Sequence, residues 1–352
     1  MKIKIDNNEL KNAVDVISKF IPARSPIPAA ECVYIEAQKD GYVWVRNFDP
    51  WGASASLMIR GDVKQEGAEY IPAKKLGAIL GRLDADVIEL ESDGKICTIQ
   101  NGDSEYSLGV IDDEFTKPEH IDGSPIVMDA EVFKDLIEGV SFACATDGKI
   151  HSGVQFTVYA GLLRLVALDG YRLAVREIQT ESEDCDFVIS AKVLNSLKSI
   201  VSGEVKIFHG KRAARIQNGD LNLTVPFLQG EFLDFRKAVP KDTKTTVSGF
   251  RDAFLKKIEC VNSINDQKKP IIAKITPNGC ELTVQTGTAY AKEIAPCYKE
   301  GEDLTIGFNP IYIYDAIKHC GDEIEMKLCG AFAPATFAGD GYFYLVLPVK
   351  IK

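Results

Sequence analysis

Three copies of one pattern run through this sequence, and few folds satisfy such repetition. A glycine opens an apolar run at Gly41 (Tyr-Val-Trp-Val), Gly161 (Leu-Leu-Arg-Leu-Val) and Gly279 (Cys-Glu-Leu-Thr-Val), at intervals of 120 and 118 residues. A second landmark keeps the same phase: Asn101-Gly102-Asp103, Asn218-Gly219-Asp220 and Gly339-Asp340-Gly341. Such strings accept the positive φ of a tight hairpin turn, so they mark strand pairs and not chemistry. The 352 residues divide into three copies of about 117 with almost nothing left over.

Each copy opens with an amphipathic helix, read from Leu10, Ala13, Val14 and Ile17, from Phe133, Leu136, Ile137 and Val140, and from Phe254, Ile258 and Val261. Asn8, Asp129 and Ser248 are the expected N-caps. Alternating strands follow, and then a second helix that begins at Ala73, Ala191 and Asn309, 118 residues apart each time. Further alternating strands close each copy. The expected fold is α+β, with three repeated modules of two helices packed on antiparallel sheet. Polar, proline-bearing segments at Pro118–Pro125 and Pro240–Thr245 place the modules at 1–120, 121–242 and 243–352. Fused modules with exposed sheet edges pair edge to edge, in arcs or closed rings.

Composition narrows the function. With 45% apolar and 26% charged residues the chain is globular and not disordered. A net charge of −10 excludes a wholly basic nucleic-acid wrap but leaves room for a local basic strip. No apolar run is long enough to span a membrane, and the start, Met1-Lys2-Ile3-Lys4, lacks an apolar signal core, so a cytoplasmic protein without membrane partners is expected. Nine scattered cysteines form no Cys-x-x-Cys and are read as buried, reduced thiols. The four histidines form no His-x-x-x-His, so no metal site is expected, and no cofactor motif occurs. Nucleotide-binding, zinc-protease and serine-hydrolase motifs are absent, and Asp112-Asp113 is read as solvated loop, so no catalytic residue is nominated. A tripartite scaffold that binds proteins but not DNA is the alternative that the acidic charge favours.

The string Ala167-Leu168-Asp169-Gly170-Tyr171-Arg172-Leu173-Ala174 resembles the signature of bacterial sliding clamps, the beta subunit of the replicative DNA polymerase III holoenzyme. Phe232-Leu233-Asp234-Phe235-Arg236, Ile306-Gly307-Phe308-Asn309-Pro310 and the terminal Tyr344-Leu345-Val346-Leu347-Pro348-Val349-Lys350 extend the resemblance along the whole chain. The resemblance implies a non-catalytic processivity factor. It forms a head-to-tail homodimer, a six-module ring whose helices surround duplex DNA without reading its sequence. A clamp loader opens it. The replicative polymerase catalytic subunit, translesion and repair polymerases and other clamp-motif proteins dock in a groove between modules II and III.

Carried onto this chain, the resemblance nominates Arg24, Lys74, Arg82, Lys149, Lys192 and Lys198 for DNA. By periodicity alone Lys74, Lys75 and Arg82, like Lys11 and Lys19, are simply solvated faces of helices, and Arg251, Lys257 and Lys318 also fall on helices. For the partner groove it nominates Leu168, Gly170, Tyr171, Arg172 and Leu173, then Lys237 and Ala238, Asn309 and Tyr312, and Leu345, Val346, Leu347, Pro348, Val349 and Lys350. Arg172 is expected to offer charge-assisted bonds to a partner. Tyr106 and Leu108 match the family's apolar dimer edge, with Ile264 as their expected counterpart in the third module. The chain departs from the family pattern at Leu233, His151, Lys268 and Lys350, three of which bear on the groove's peptide preference.

Overall fold

The computed structural model describes residues 1–49, 52–84, 86–266 and 268–351. They fall into two compact units, one of residues 1–134 with 192–227 and the other of residues 135–191 with 228–352. Each third of the chain runs strand, helix, strands, short helix, strands, as its repeated landmarks predict. The helices are α1 (Asn7–Ser18), α2 (Ala73–Leu80), α3 (Ala130–Ser141), α4 (Ala191–Lys198), α5 (Arg251–Asn262) and α6 (Pro310–Lys318). No helix among the described residues is long and apolar enough to cross a membrane.

The first unit holds a five-stranded and an eight-stranded antiparallel sheet. The smaller is ordered Asp62–Gln65, Lys2–Asp6, Val87–Ser92, Ile96–Asn101, Ser104–Gly109. The larger joins two thirds of the chain. Strands 67–72, 32–37, 42–46 and 54–60 continue into 221–226, 213–218, 204–209 and 126–129, through Ser56 opposite Asn222 and Ala55 opposite Leu223. The helices α1 and α2 pack together through buried Leu10, Val14, Ile17, Leu76 and Leu80. Asn7 Nδ2 ties their ends by donating to the carbonyls of Leu80 (3.3 Å) and Leu83 (3.4 Å). The proline-bearing segment expected as a boundary is strapped down: Phe115 stacks on Tyr34 at 4.4 Å, and Arg215 Nε donates to the carbonyl of buried Ile121 at 2.8 Å.

The second unit repeats this design. Its nine-stranded sheet runs 185–190, 153–159, 162–168 and 172–179, then 342–346, 335–339, 323–328, 245–250 and 298–301. The join lies where Arg172 opposes Val346 and Leu173 opposes Leu345. A four-stranded sheet is ordered Tyr290–Ala295, Gly279–Gln285, Ile271–Thr276, Leu304–Phe308, and α5 packs on α6 and on the first two of these strands.

Several local expectations are corrected. Asp6, not Asn8, caps α1, its carboxylate accepting from Glu9 N at 2.9 Å, because the helix starts at Asn7, two residues before the start that a cap at Asn8 implies. Asp129 does precede α3 and accepts from Glu131 N at 2.8 Å. Ser248 lies inside the strand Thr245–Phe250, and α5 begins without a side-chain cap. Arg82 stands beyond α2, which Gly81 ends. Burial pushes the Cys97, Cys280 and Cys320 thiols up to about 12, whereas Cys260 is exposed.

Leu108, expected at an outward dimer edge, is buried at 7% exposure within its own chain, opposite buried Cys97, whereas Tyr106 is 38% exposed. Both lie on the same face of the edge strand, opposite buried Ile99 and Cys97. Leu108→Ala should therefore cost about 2–4 kcal/mol in urea unfolding.

Candidate partner groove and basic cleft

The signature string forms the hairpin between strands Leu162–Leu168 and Arg172–Gln179. Gly170 takes a φ of 87°, which a side chain would oppose, and Asp169 Oδ1 closes the turn by accepting from Tyr171 N (2.9 Å) and Arg172 N (3.0 Å). This pushes Tyr171 outward, 62% exposed, where it stacks on Tyr312 at 6.3 Å. Its carbonyl accepts from Leu347 N at 2.9 Å, and Val349 N donates to Gly307 at 2.8 Å, so the terminal segment is pinned on both sides.

Beneath lies an apolar floor of buried Val166, Leu168, Leu173, Val175 and Leu345, flanked by the half-buried Phe232, Phe235, Phe343 and Leu347. Val346 is buried as well. Of the residues expected to meet a partner, Leu168, Leu173, Leu345 and Val346 thus serve as floor and core. Gly170, Tyr171, Lys237, Ala238, Val349 and Lys350 are exposed, and Leu347, Pro348 and Tyr312 half-buried. Asn309 spends its side chain capping α6, accepting from Ile311 N (2.9 Å) and Tyr312 N (3.4 Å). Lys237 and Ala238 end the short turn Phe235–Ala238, capped by Asp234, whose carboxyl Arg236 holds below its usual range through a 2.8 Å hydrogen bond.

Arg172 is held within its own chain by two carboxylates. Its Nε donates to Asp169 (3.0 Å) and its Nη1 to Asp315 (2.6 Å), with the guanidinium 4.4 Å above the Tyr312 ring. Two of its three nitrogens thus meet carboxylates, an internal clamp between the turn and α6. Beside it His319 stacks on Phe142 at 4.6 Å, its Nδ1 2.8 Å from the Asp315 carbonyl, and burial holds its pKa below the ordinary value. One residue missed by the sequence reading is Phe332, 82% exposed in the turn between strands Glu323–Leu328 and Ala335–Gly339. Since Ala335 opposes Val346, this turn lies at the Arg172 end of the sheet.

The first unit carries a cleft of about 870 Å³ whose rim brings together Lys74 and Lys75 of α2 and Lys192 of α4. Ala23 and Ser25, on either side of exposed Arg24, line it too. The carboxylates at this cleft are engaged: Asp15 with Lys11 at 2.6 Å, and Glu31 accepting from Ser25 N at 2.7 Å. Arg82 is exposed, and Lys198 closes α4, both outside the cleft lining. Lys149 lies in the second unit, exposed and 4.0 Å from Asp147. Arg251 and Lys257 are tied up in ion pairs with Asp252 (3.0 Å) and Glu293 (2.6 Å). Among the described residues no three His, Cys, Asp or Glu side chains converge as metal ligands do.

Family models of the DNA polymerase III beta subunit match the chain consecutively: the N-terminal domain over residues 1–117, the central domain over 127–234 and the C-terminal domain over 236–348. The chain belongs to the DNA polymerase III beta subunit family. It is similar to the beta sliding clamp of Streptomyces coelicolor, 22% identical with both chains covered in full, and to that of Synechocystis, 26% identical with the same coverage. The solved sliding clamp of Bacillus subtilis has the same fold, with a TM-score of 0.95 at 24% identity over the whole of both chains. The beta subunits are a non-catalytic family, and the chain is a clamp and not a polymerising enzyme.

Within this beta subunit the clamp residue Arg172 is a stability element. Arg172→Ala leaves the half-buried carboxylates of Asp169 and Asp315 without their shared cation. Thermal and urea unfolding should show a loss of about 2 kcal/mol or more, with Arg172→Lys recovering only part of it.

Proposed function

We infer that this chain acts as a DNA sliding clamp: two copies close head to tail around duplex DNA and tether polymerases to it. Its modules divide near residues 120 and 242. The observation that carries this reading is the pair of sheet edges left over. At both interior junctions the last strand of one third pairs with the third strand of the preceding third's four: 221–226 with 54–60, and 342–346 with 172–179. By the same rule the last strand of the first third, Ser104–Gly109, calls for the third strand of the final third, Tyr290–Ala295. Both are sheet edges in the single chain. They carry exposed apolar side chains, Tyr106 on one and Tyr290 and Ile294 on the other. A second copy supplies each with the other. This moves the third-module contact from Ile264, which is half-buried in the turn after α5, to Tyr290–Ala295.

The dimer should have a mass near twice 38.7 kDa. Ile294→Asp together with Tyr106→Asp places like charges across the joint and should shift the protein toward one chain in sedimentation. An unchanged dimer places the joint elsewhere.

The cleft holding Lys74, Lys75 and Lys192, with Arg24 beside it, supports the DNA-facing role, and in this reading Arg82 and Lys198 of the first unit and Lys149 of the second also meet phosphate. Contacts of this kind hold phosphate without reading bases. After loading by a clamp loader, the protein should remain on closed circular DNA and slide off once the circle is cut. Lys74→Glu with Lys192→Glu should weaken retention, flatten its salt dependence and leave it indifferent to sequence. An unchanged salt slope removes these lysines from the DNA surface. The apolar floor between Tyr171 and the terminal segment is the partner groove, taking apolar anchors of the replicative polymerase catalytic subunit, of translesion polymerases and of other clamp-motif proteins. The site of action is the cytoplasm, where a bacterial replication factor works.

A further inference from the structure

Among the described residues two buried side-chain polar atoms lack a hydrogen-bonding partner, Asn7 Oδ1 and His151 Nε2. Asn7 has a structural task, since its amide nitrogen ties α1 to the end of α2. His151 stands elsewhere. It lies in the short turn Ile150–Ser152, with its carbonyl fixed by Ala145 N at 2.9 Å. Its ring meets Phe232 edge-on, with centroids 5.2 Å apart and planes at 73°. Phe232 is one of the half-buried rings over the floor of Leu168, Leu173 and Leu345. An imidazole nitrogen shut away from water without a partner is costly, and such groups in folded proteins call for an explanation. Here a single ring, Phe232, stands between the imidazole and the apolar cluster that a partner's anchor would fill.

We propose that His151 is a specificity residue of the groove: an anchor that displaces the half-buried Phe232 ring uncovers Nε2, which then hydrogen-bonds a hydroxyl on that anchor. The inference rests on the groove reading above. The matching partner is a peptide whose aromatic anchor is tyrosine-like and not phenylalanine-like. A hydroxyl is the suitable group because it both donates and accepts, and so satisfies either tautomer of a neutral imidazole. A phenyl anchor fills the same volume but seals the nitrogen away unpaired. Sites that hydrogen-bond a hydroxyl discriminate strongly against the analogue lacking it for this reason.

The test uses two labelled peptides, identical except that one ends Leu-Phe and the other Leu-Tyr, titrated against the full chain by fluorescence anisotropy. The Leu-Tyr peptide should bind about tenfold more tightly. His151→Leu should reverse that preference, and His151→Gln, which keeps a hydrogen-bonding side chain, should retain part of it. Equal binding of the two peptides to the wild type, or a preference for Leu-Phe, overturns the inference, as does a tyrosine preference that survives in His151→Leu. If His151→Leu does not fold, wild type against His151→Gln decides. Failure of the groove reading looks different: the wild type binds neither peptide, or removal of residues 347–352 leaves both affinities unchanged, and the inference falls with it.

Discussion

A strand at the rim of a sheet exposes a row of N–H and C=O groups that must be bonded to something, and every larger feature of this chain follows from how those rows are matched. Each third makes two half-sheets, each ending in a strand with an unsatisfied edge. Two of those edges meet where Ser54–Arg60 takes Leu221–Pro226, and two more where Arg172–Gln179 takes Tyr342–Val346. The middle third therefore does not stand alone: its halves are absorbed into different compact units. The partner groove is a by-product of the second join. Only because Val346 lies against Arg172 does the next residue, Leu347, reach the Tyr171 carbonyl and set the terminal segment beside the apolar floor.

The signature string divides its labour along the same line. Asp169 and Arg172 are spent on the turn and on the tie to Asp315, with the guanidinium stacked on Tyr312. Leu168 and Leu173 are floor. What remains free to meet a partner is Gly170 and the ring of Tyr171, which the closed turn turns outward. The clamp fixes α6 against the hairpin, so one wall is rigid. The other is a terminal segment held beyond Val346 by two backbone hydrogen bonds. Rigid on one side and lightly pinned on the other, such a groove loses little on accepting an extended peptide.

The threefold period, the module class and all six helices were legible in the sequence, because turns and amphipathic stripes are local signals with fixed spacing. What escaped it depended on partners distant in the chain. Tyr106 and Leu108 share one face of Ser104–Gly109, yet one is 38% and the other 7% exposed, a difference that alternation does not contain. The strand Tyr290–Ala295, Tyr-Ala-Lys-Glu-Ile-Ala, reads as ordinary half-polar surface, and its place at a sheet edge, third in its group of four, shows only in the fold. Arg172 read as a free cation because the carboxylate that completes its clamp, Asp315, is 143 residues away. His151 was noticed only as a departure from the family pattern; its orphaned nitrogen is visible in three dimensions alone.

The basic cleft poses an electrostatic question that its own helices answer. Lys74 and Lys75 sit in the first turn of α2, and Lys192 in the first turn of α4, at the same position of the repeat. A helix N-terminus carries partial positive charge, so cations there oppose the helix by a few tenths of a kcal/mol each. The opening of α2 offers no relief, since Pro72 provides no side-chain cap and no acid stands in its first turn. Stability within the chain thus gives no reason for these lysines, least of all in a protein of net charge −10 that has acids to spare. The nearby carboxylates, moreover, are turned to other tasks, Asp15 to Lys11 and Glu31 to the Ser25 amide, and neither pairs with Lys74, Lys75 or Lys192. An external polyanion relieves the repulsion between lysines and helix ends together, which is what a duplex drawn along this surface would do.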